Sequence, residues 1–547
     1  MKKLVLAVVI LLFGFLIVYA NLPVINYGYW GLPFILMVLT IFWILGSKQI
    51  YFTVDTHNNN NLSVNSRKGK ASLWFLLLLI VYMALVPMVT SWGLFRHQSY
   101  RNLIGTVEKG ADFSNHIAPI SIEKIRVVDE PLAYLLGDKV LGAQPALGSQ
   151  VDLGEFTIQK VNDGLYWVAP LVHSGFFKWN KNKAGTAGYV MVNATNERDV
   201  KLVQEVNGAE IRVKYQPQAY FQTNLHRHLY FNGYMTSGLT DFTFEVDDAG
   251  MPFWVVTRFV KRIGFYGDDA ASVIVVNAQS GEINEYSIED APSWIDRIQP
   301  SNFIENQLND WGEYVKGYWN FANEEKLQIT EGLTLVYGED NKSYWYTGLT
   351  SVGADEATVG FVLVDTRTKQ TVWYKQSGAT EYAAQNSAIG KVQEKGYTAS
   401  LPIPYNINNI PTYVMTLKDK GGLVKMYAMV AIEDYTIVGV GNSLQETLMA
   451  YKNAFNMTGS KFNPQSDSQK EVLSTVVRRI NSDIKNGNSF YYLTVDGSNN
   501  IFIGSTQISN ELPVTCVGDS VVISYDNDTD VLIGMSSFKN KSLGKKN

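Results

Sequence analysis

The runs Pro252-Phe253-Trp254-Val255-Val256-Thr257 and Val273-Ile274-Val275-Val276-Asn277-Ala278-Gln279 decide how this chain is read. Both are dominated by β-branched and aromatic residues, and large apolar positions alternate with small or polar ones. That is the pattern of neighbouring, half-buried antiparallel strands.

Working outward, the pair recurs. Leu165-Tyr166-Trp167-Val168 precedes Tyr189-Val190-Met191-Val192-Asn193-Ala194-Thr195, and Ser343-Tyr344-Trp345-Tyr346-Thr347 precedes Gly360-Phe361-Val362-Leu363-Val364-Asp365-Thr366. A weaker copy joins Pro411-Thr412-Tyr413-Val414-Met415-Thr416 to Tyr427-Ala428-Met429-Val430-Ala431-Ile432-Glu433-Asp434. The aromatic-to-acid or aromatic-to-amide spacing stays at 20–26 residues, as in adjacent strands of a meander. Self-similarity of this kind marks repeated units. Helical patterns lie between the copies, over Pro292–Phe321, Tyr382–Lys395 and Leu444–Phe455, and Ser443 followed by Glu446 fits a capping box. Each unit therefore reads as a few antiparallel strands with a helix on one face, an α+β module present three or four times.

The strand end Val276-Asn277-Ala278-Gln279-Ser280-Gly281-Glu282-Ile283 resembles the closing hairpin of PepSY-type modules, small exported α+β units of bacterial envelope proteins. Thr366-Arg367-Thr368-Lys369 lacks the glycine and the fourth copy has Asp434-Tyr435 instead. The resemblance implies an extracytoplasmic binding, inhibitory or scaffolding module, with no catalytic residues to carry over.

Ahead of the repeats, Ala71–Leu94 is a 24-residue run without charge, long enough to cross a hydrocarbon core of ~30 Å. Pro87 is expected to kink it, and Trp74 and Trp92 lie near its two ends. Residues 4–20 and 27–45 are further apolar runs, joined by a short turn around Asn21-Leu22-Pro23. Met1-Lys2-Lys3 ahead of the first run resembles a secretory signal, but the length of the run and the second one close behind it favour a retained helical hairpin. Lys2, Lys3, Lys48, Arg67, Lys68 and Lys70 fall in segments that one topology keeps inside, whereas 21–30 carries no Lys or Arg. The expectation is a multi-pass protein of the cytoplasmic membrane, N-terminus inside, with everything beyond residue 95 outside.

The remaining segments fill in the fold class, which is α+β. A three-helix transmembrane region, 1–95, leads to a stalk and entry segment, 96–150, with a strand over Ile120–Val128, a helical turn over Pro131–Leu136 and a loop over Gly142–Gly148. Modules follow at 151–240, 241–322, 323–397 and 398–458. A polar linker, Gly459–Gln469, and a helix over Lys470–Ile484 occupy 459–488. Four short β runs within 489–547, separated by Asp496-Gly497, Ser509-Asn510 and Asn527-Asp528, predict a small barrel-like domain with a basic tail, Lys539–Asn547. The polar stretch Asn58–Asn61 reads as a flexible inside loop.

Aromatic content is 13% and net charge is −5, a balance that argues against a nucleic-acid partner. The lone cysteine, Cys516, excludes an internal disulfide framework and reads as a small buried hydrophobe in a β run. No nucleophile elbow, phosphate loop, H-E-x-x-H helix or C-x-x-C pair is present, and no cofactor is called for. His226 and His228 in Asn224-Leu225-His226-Arg227-His228 would project from one face of a strand and could share a metal, with His173 and His116 as distant partners. The bland alternative is an exposed polar strand. Asp241, Glu245, Asp247 and Asp248 cluster, as do Asp268 and Asp269, yet Asp247-Asp248-Ala249-Gly250 is more simply a hairpin turn. Trp167, Trp254, Trp345 and Tyr413 could line a binding surface, although aromatics at matching repeat positions commonly form core.

These features point to a membrane-anchored extracytoplasmic scaffold or binding protein, with the lipid bilayer and another envelope protein or itself as partners. Repeated modules supply extended surface. Two alternatives are an envelope enzyme with a metal or acid-base site near His226 and His228, and a membrane sensor or transport-associated subunit.

Overall fold

The structure is a computed structural model that describes residues 2–47, 51–55, 61–65, 70–110, 113, 117–330, 332–338, 342–353, 357–375, 377–457, 471–485, 488–506, 508–525 and 532–543. His116, Asn58–Asn60, the linker Gly459–Gln469 and the turn Asn527-Asp528 lie outside these. The chain forms two compact units, Met1–Ala454 and Phe455–Asn547.

Uncharged, strongly apolar sequence makes the first unit begin with helices α1 (Lys2–Asn21), α2 (Gly31–Gly46) and α3 (Lys70–Ser91). Two of them, through Leu4–Asn21 and Ala71–Ser91, are long and apolar enough to cross a membrane. The expected span over 27–45 forms the shorter, 16-residue α2 instead, because Gly31 and Pro33 open the helix rather than sit within it. α2 runs back along α1: a side chain at Gly46 would stand 2.6 Å from Leu6 Cδ1, while Gly31 abuts Pro23 and Val24. In the segment expected to be loop, Tyr51–Asp55 pairs antiparallel with Asn61–Asn65. The expected stalk is helix α4 (Gly93–Arg101), set off from α3 by an extended Trp92.

Beyond α4, four antiparallel meanders follow one another. The first runs through Thr157–Val161, Gly164–His173, Tyr189–Asn193 and Val200–Val203. The second runs through Gly238–Val246, Pro252–Ile263, Tyr266–Asn277 and Ile283–Tyr286. The third comprises Thr334–Tyr337, Ser343–Ser351, Gly360–Asp365 and Thr371–Tyr374, and Val107–Gly110 adds to its last strand in parallel. The fourth comprises Ile403–Ile407, Ile410–Lys418, Val424–Ala431 and Val438–Gly441.

One hydrogen-bond frame appears in all four. In the second meander the Ala278 N–H donates to Pro252 O, Ala278 O accepts from Lys214 N and Tyr215 N, and Trp254 Nε1 donates to Tyr215 O at 2.7 Å. The first meander uses Ala194 N to Leu165 O, Val127 N and Val128 N to Ala194 O, and Trp167 Nε1 to Val128 O. The third uses Thr366 N to Ser343 O, Ile298 N and Gln299 N to Thr366 O, and Trp345 Nε1 to Gln299 O. In the fourth, Ile432 N donates to Pro411 O, Ala379 N to Ile432 O, and Tyr413 Oη to Ala379 O.

In the first and third meanders the indole, and in the fourth the Tyr413 hydroxyl, thus grips the backbone just ahead of a helix. Helix α5 (Glu130–Gly142) starts two residues after Val128, with Asp129 Oδ1 capping Leu132 N; helices Ser301–Glu313 and Glu381–Gly390 start two residues after Gln299 and Ala379. The expected strand Ile120–Val128 is instead a 3-10 turn, Ile122–Lys124, followed by a short strap whose Val127 and Val128 N–H groups are committed to Ala194 O at the end of a neighbouring strand. The expected loop at 142–148 holds a short helix, Pro145–Gly148. Ser443 caps helix Leu444–Met457 as expected, its Oγ accepting from Glu446 N, while Glu446 Oε2 accepts from Asn442 N one residue earlier.

Because alternate residues of a strand face opposite sides, each sheet feeds two cores. Trp167 and Trp345 share one core, Val168 and Trp254 a second, and Tyr346 and Tyr413 a third. The first meander therefore packs against both the second and the third, and the third also packs against the fourth.

The second unit is a closed five-stranded barrel, in the order Glu471–Lys485, Asn488–Val495, Ile501–Ser505, Leu532–Asn540, Ser520–Tyr525. Of the helix expected over Lys470–Ile484, the described part from Glu471 onward is thus strand. A bulge between Val477 and Arg479 shifts the side-chain phase, so Leu473, Val477 and Ile480 all reach the core and the spacing imitates a helical one. The tail expected from Lys539 begins later, since Lys539 and Asn540 pair with Val522 and Val521. Cys516 is exposed, two residues past the 3-10 turn Leu512–Val514, not buried in a strand.

Candidate functional site

Trp167, Trp254, Trp345 and Tyr413 are between 0% and 8% exposed. They belong to the cores and to the hydrogen-bond frame, not to a surface groove. A buried indole N–H or phenol O–H needs an acceptor, and each unit supplies one from the strap before its helix.

His226 and His228 lie in a short helix, Leu225–Leu229, not in the expected strand. Asn224 caps it by accepting from Arg227 N, and Leu225 and Leu229 bury one turn apart in the core of the second meander. On a helix, residues two apart point to nearly opposite sides. The His226 ring accordingly packs on Phe242 with centroids 4.1 Å apart, whereas His228 lies 4.4 Å from the Tyr215 ring and its Nε2 donates to Gly281 O at 2.7 Å. Burial, and then the Arg227 charge, hold the His226 pKa below its ordinary value. His173 is buried in the first meander with its pKa lowered by burial. Among the described residues no group of three or more His, Cys, Asp and Glu stands together as a metal site.

Between the two histidines, Arg227 does what the sequence did not announce. Its guanidinium lies 4.6 Å from the Tyr19 ring centroid at the end of α1, and Nε donates to Tyr19 O. Around it the helix ends are bonded to the second meander at several points. Tyr230 Oη donates to Pro23 O, Ile25 N to Met235 O, Asn26 Nδ2 to Thr236 O, and Tyr29 Oη to Phe259 O. The hairpin joining Pro252–Ile263 to Tyr266–Asn277 reaches the end of α3, where Phe265 N donates to buried Ser91 Oγ and the Phe265 ring meets Trp30 and Tyr82. Beside this hairpin a cleft of about 350 Å³ is lined by Pro87, Ser91, Trp92, Tyr100 and Tyr266 among others. The acids of the hairpin are paired, Asp268 with Lys261 and Asp269 with Arg262 and Lys369.

Gly264 makes that approach possible. Its φ is +61°, and an added Cβ would stand 2.4 Å from both Ser91 Oγ and Thr90 Oγ1. Gly264→Ala is expected to loosen the hairpin from α3, speeding amide exchange at Phe265 about 10- to 100-fold, the equivalent of roughly 1.4–2.8 kcal/mol. Hydrogen exchange on the full-length protein in detergent reads this directly.

The acidic cluster divides. Asp247 Oδ1 accepts from Ala249 N and Met251 N, and Gly250 has φ +85°, so this segment is the expected hairpin turn. Glu245 instead is 1% exposed. Its Oε1 accepts from Thr243 Oγ1, and Oε2 has no hydrogen-bond partner among the described residues. Burial pushes its pKa up to about 8; nearby Arg297 opposes this and Asp296 adds to it. Burial likewise lifts Asp296 to about 6, although Lys160 N and Tyr337 Oη donate to its Oδ2.

No protein-family model matches the chain, and no curated protein matches it either.

Proposed function

We propose that the chain is a membrane-anchored extracytoplasmic scaffold, a multi-pass protein of the cytoplasmic membrane with its N-terminus inside and residues beyond 95 outside. Its four meanders are related α+β modules, of a kind similar to PepSY units, and their surfaces hold another envelope protein or a second copy of the chain. The observation that carries this reading is the bonding of the α1 end, the α1–α2 connection and the α3 end to the second meander and the helical segment just ahead of it, through Arg227, Tyr230, Tyr29 and Phe265. A helical anchor fixed at several points to a stack of modules with shared cores makes a stiff platform, and stiffness lowers the entropic cost of holding a partner. α2 completes the anchor as a third crossing: its start lies beside Val24, just past α1, and its end beside Leu6, near the start of α1, and a helix of about 24 Å is accommodated by local thinning of the bilayer. The basic residues at the start of α1 and between α2 and α3 fit this orientation.

Affinity purification of the full-length protein from its native membrane in mild detergent, with cross-linking and metal analysis of the same sample, tests the reading. The expected result is a stoichiometric protein partner or homo-oligomer cross-linked to meander surfaces, without metal. Stoichiometric metal that disappears in the His226→Ala, His228→Ala double variant, with no partner recovered, overturns it in favour of an enzyme.

A further inference from the structure

We infer that the first and second meanders carry an aromatic apron that seats in the outer headgroup layer of the bilayer beside α1, so that a lipid surface, and not a protein, covers it. The inference rests on the reading of α1 as a membrane span. Phe176 and Phe177 open the helix Phe176–Lys181, which lies against the turn Phe221–Thr223. Phe176 makes ring contacts with Phe177, Trp179, Tyr220 and Phe221. Interlocked rings of this kind ordinarily mark a core, yet Phe177 is 79% exposed, and Phe176, Tyr220 and Phe221 are exposed with it. Clustered exposed aromatics require an explanation that single ones do not.

The position of the cluster supplies the occupant. Arg227, which stacks on Tyr19 and bonds its carbonyl, also donates from Nη1 to Phe221 O. Exposed Phe231 lies 5.9 Å from the Tyr19 ring. The rings therefore continue, through Phe231 and Arg227, from the last turn of an apolar helix whose own Phe15 and Leu16 are exposed. Aromatic rings with an apolar body and a polar neighbourhood gather where a span leaves the hydrocarbon. Exposed Lys181 and Lys183 border the cluster, Lys183 over the Trp179 ring, where they can meet lipid phosphates. The chemistry is that of an interfacial patch laid beside a transmembrane helix.

The test uses the full-length chain with Cys516→Ser, single cysteines carrying an environment-sensitive fluorophore, and phosphatidylcholine–phosphatidylglycerol nanodiscs. Probes at Phe177→Cys and Phe221→Cys are expected to be quenched by lipids brominated near the headgroup about two-fold or more over a control at exposed Glu394→Cys. A probe at Leu12→Cys on α1, read with lipids brominated deep in the acyl chains, reports separately on the span. Lipid quenching at Leu12 with none above the control at Phe177 and Phe221 overturns the apron while leaving the anchor intact. Probes at 177 and 221 shielded from both lipid quencher and aqueous iodide also overturn it, assigning the patch to a protein partner. Absence of quenching at Leu12 removes the span on which the apron depends.

Discussion

Trp254→Ala is expected to destabilise the first unit by about 3–5 kcal/mol, while Trp254→Phe costs about 1–2 kcal/mol. The side chain is nearly fully buried, its ring makes an edge contact with Phe244 at 5.4 Å, and it fills the core that the first and second meanders share. Removing it opens a cavity in the core that joins the two sheets, which adds to the lost burial. The indole N–H also satisfies Tyr215 O, whose own N–H is bound to Ala278 O. Alanine leaves that carbonyl without its indole donor and releases the strap leading to Asn224 and the Arg227 clamp. Phenylalanine keeps most of the volume and isolates the hydrogen bond. Pulse proteolysis of the full-length protein across a urea series checks both values. Equal losses for the two variants would show that the frame, and not the packed volume, dominates. Trp345→Ala should behave alike, since Trp345 Nε1 reaches Gln299 O in the same arrangement.

That the four aromatics recur was legible in the sequence, because β-branched runs beside Trp or Tyr have few other solutions than a buried strand. What they do was not, since each hydrogen-bond acceptor lies 34–46 residues upstream in a strap with no pattern of its own. The helix carrying His226 and His228 left a signal that the histidines obscured: Asn224 is a good cap, and Leu225 and Leu229 stand one helical turn apart. In the barrel, Leu473, Val477 and Ile480 mimic helical spacing because a bulge after Val477 breaks the alternation, while Val472 and Val476 lie on the other face of the strand. Period-two counting has no means of seeing an inserted residue. The aromatic junction at Phe265 was likewise hidden, since a Gly-Phe-Tyr-Gly turn looks like any surface hairpin until Ser91 and Trp30 are placed against it.

Glu245 carries the other large effect, and its sign is opposite to that of an ordinary paired carboxylate. Its folded pKa, about 8, stands above the ordinary value of 4.5 because burial costs the charged form more than Arg297 returns. Below pH 4.5 both folded and unfolded states hold the proton. Between 4.5 and about 8 the unfolded chain releases it while the folded chain keeps it, so stability falls as pH rises through that window, by at most about 1.4 kcal/mol per unit. Asp296 adds a smaller fall between 3.8 and about 6. Wild-type protein should therefore lose a few kcal/mol between pH 5 and pH 8 from this cluster. Glu245→Gln keeps the shape, cannot ionise, and leaves Thr243 Oγ1 an acceptor. It is expected to match wild type near pH 5 and exceed it at pH 8, with Asp296→Asn removing only the lower part of the slope. Unfolding midpoints in detergent at pH 5, 6.5 and 8 distinguish these cases. A wild-type midpoint that rises toward pH 8, or a Glu245→Gln variant less stable there, would mean that Glu245 is ionised in the folded protein and that Arg297 outweighs its burial.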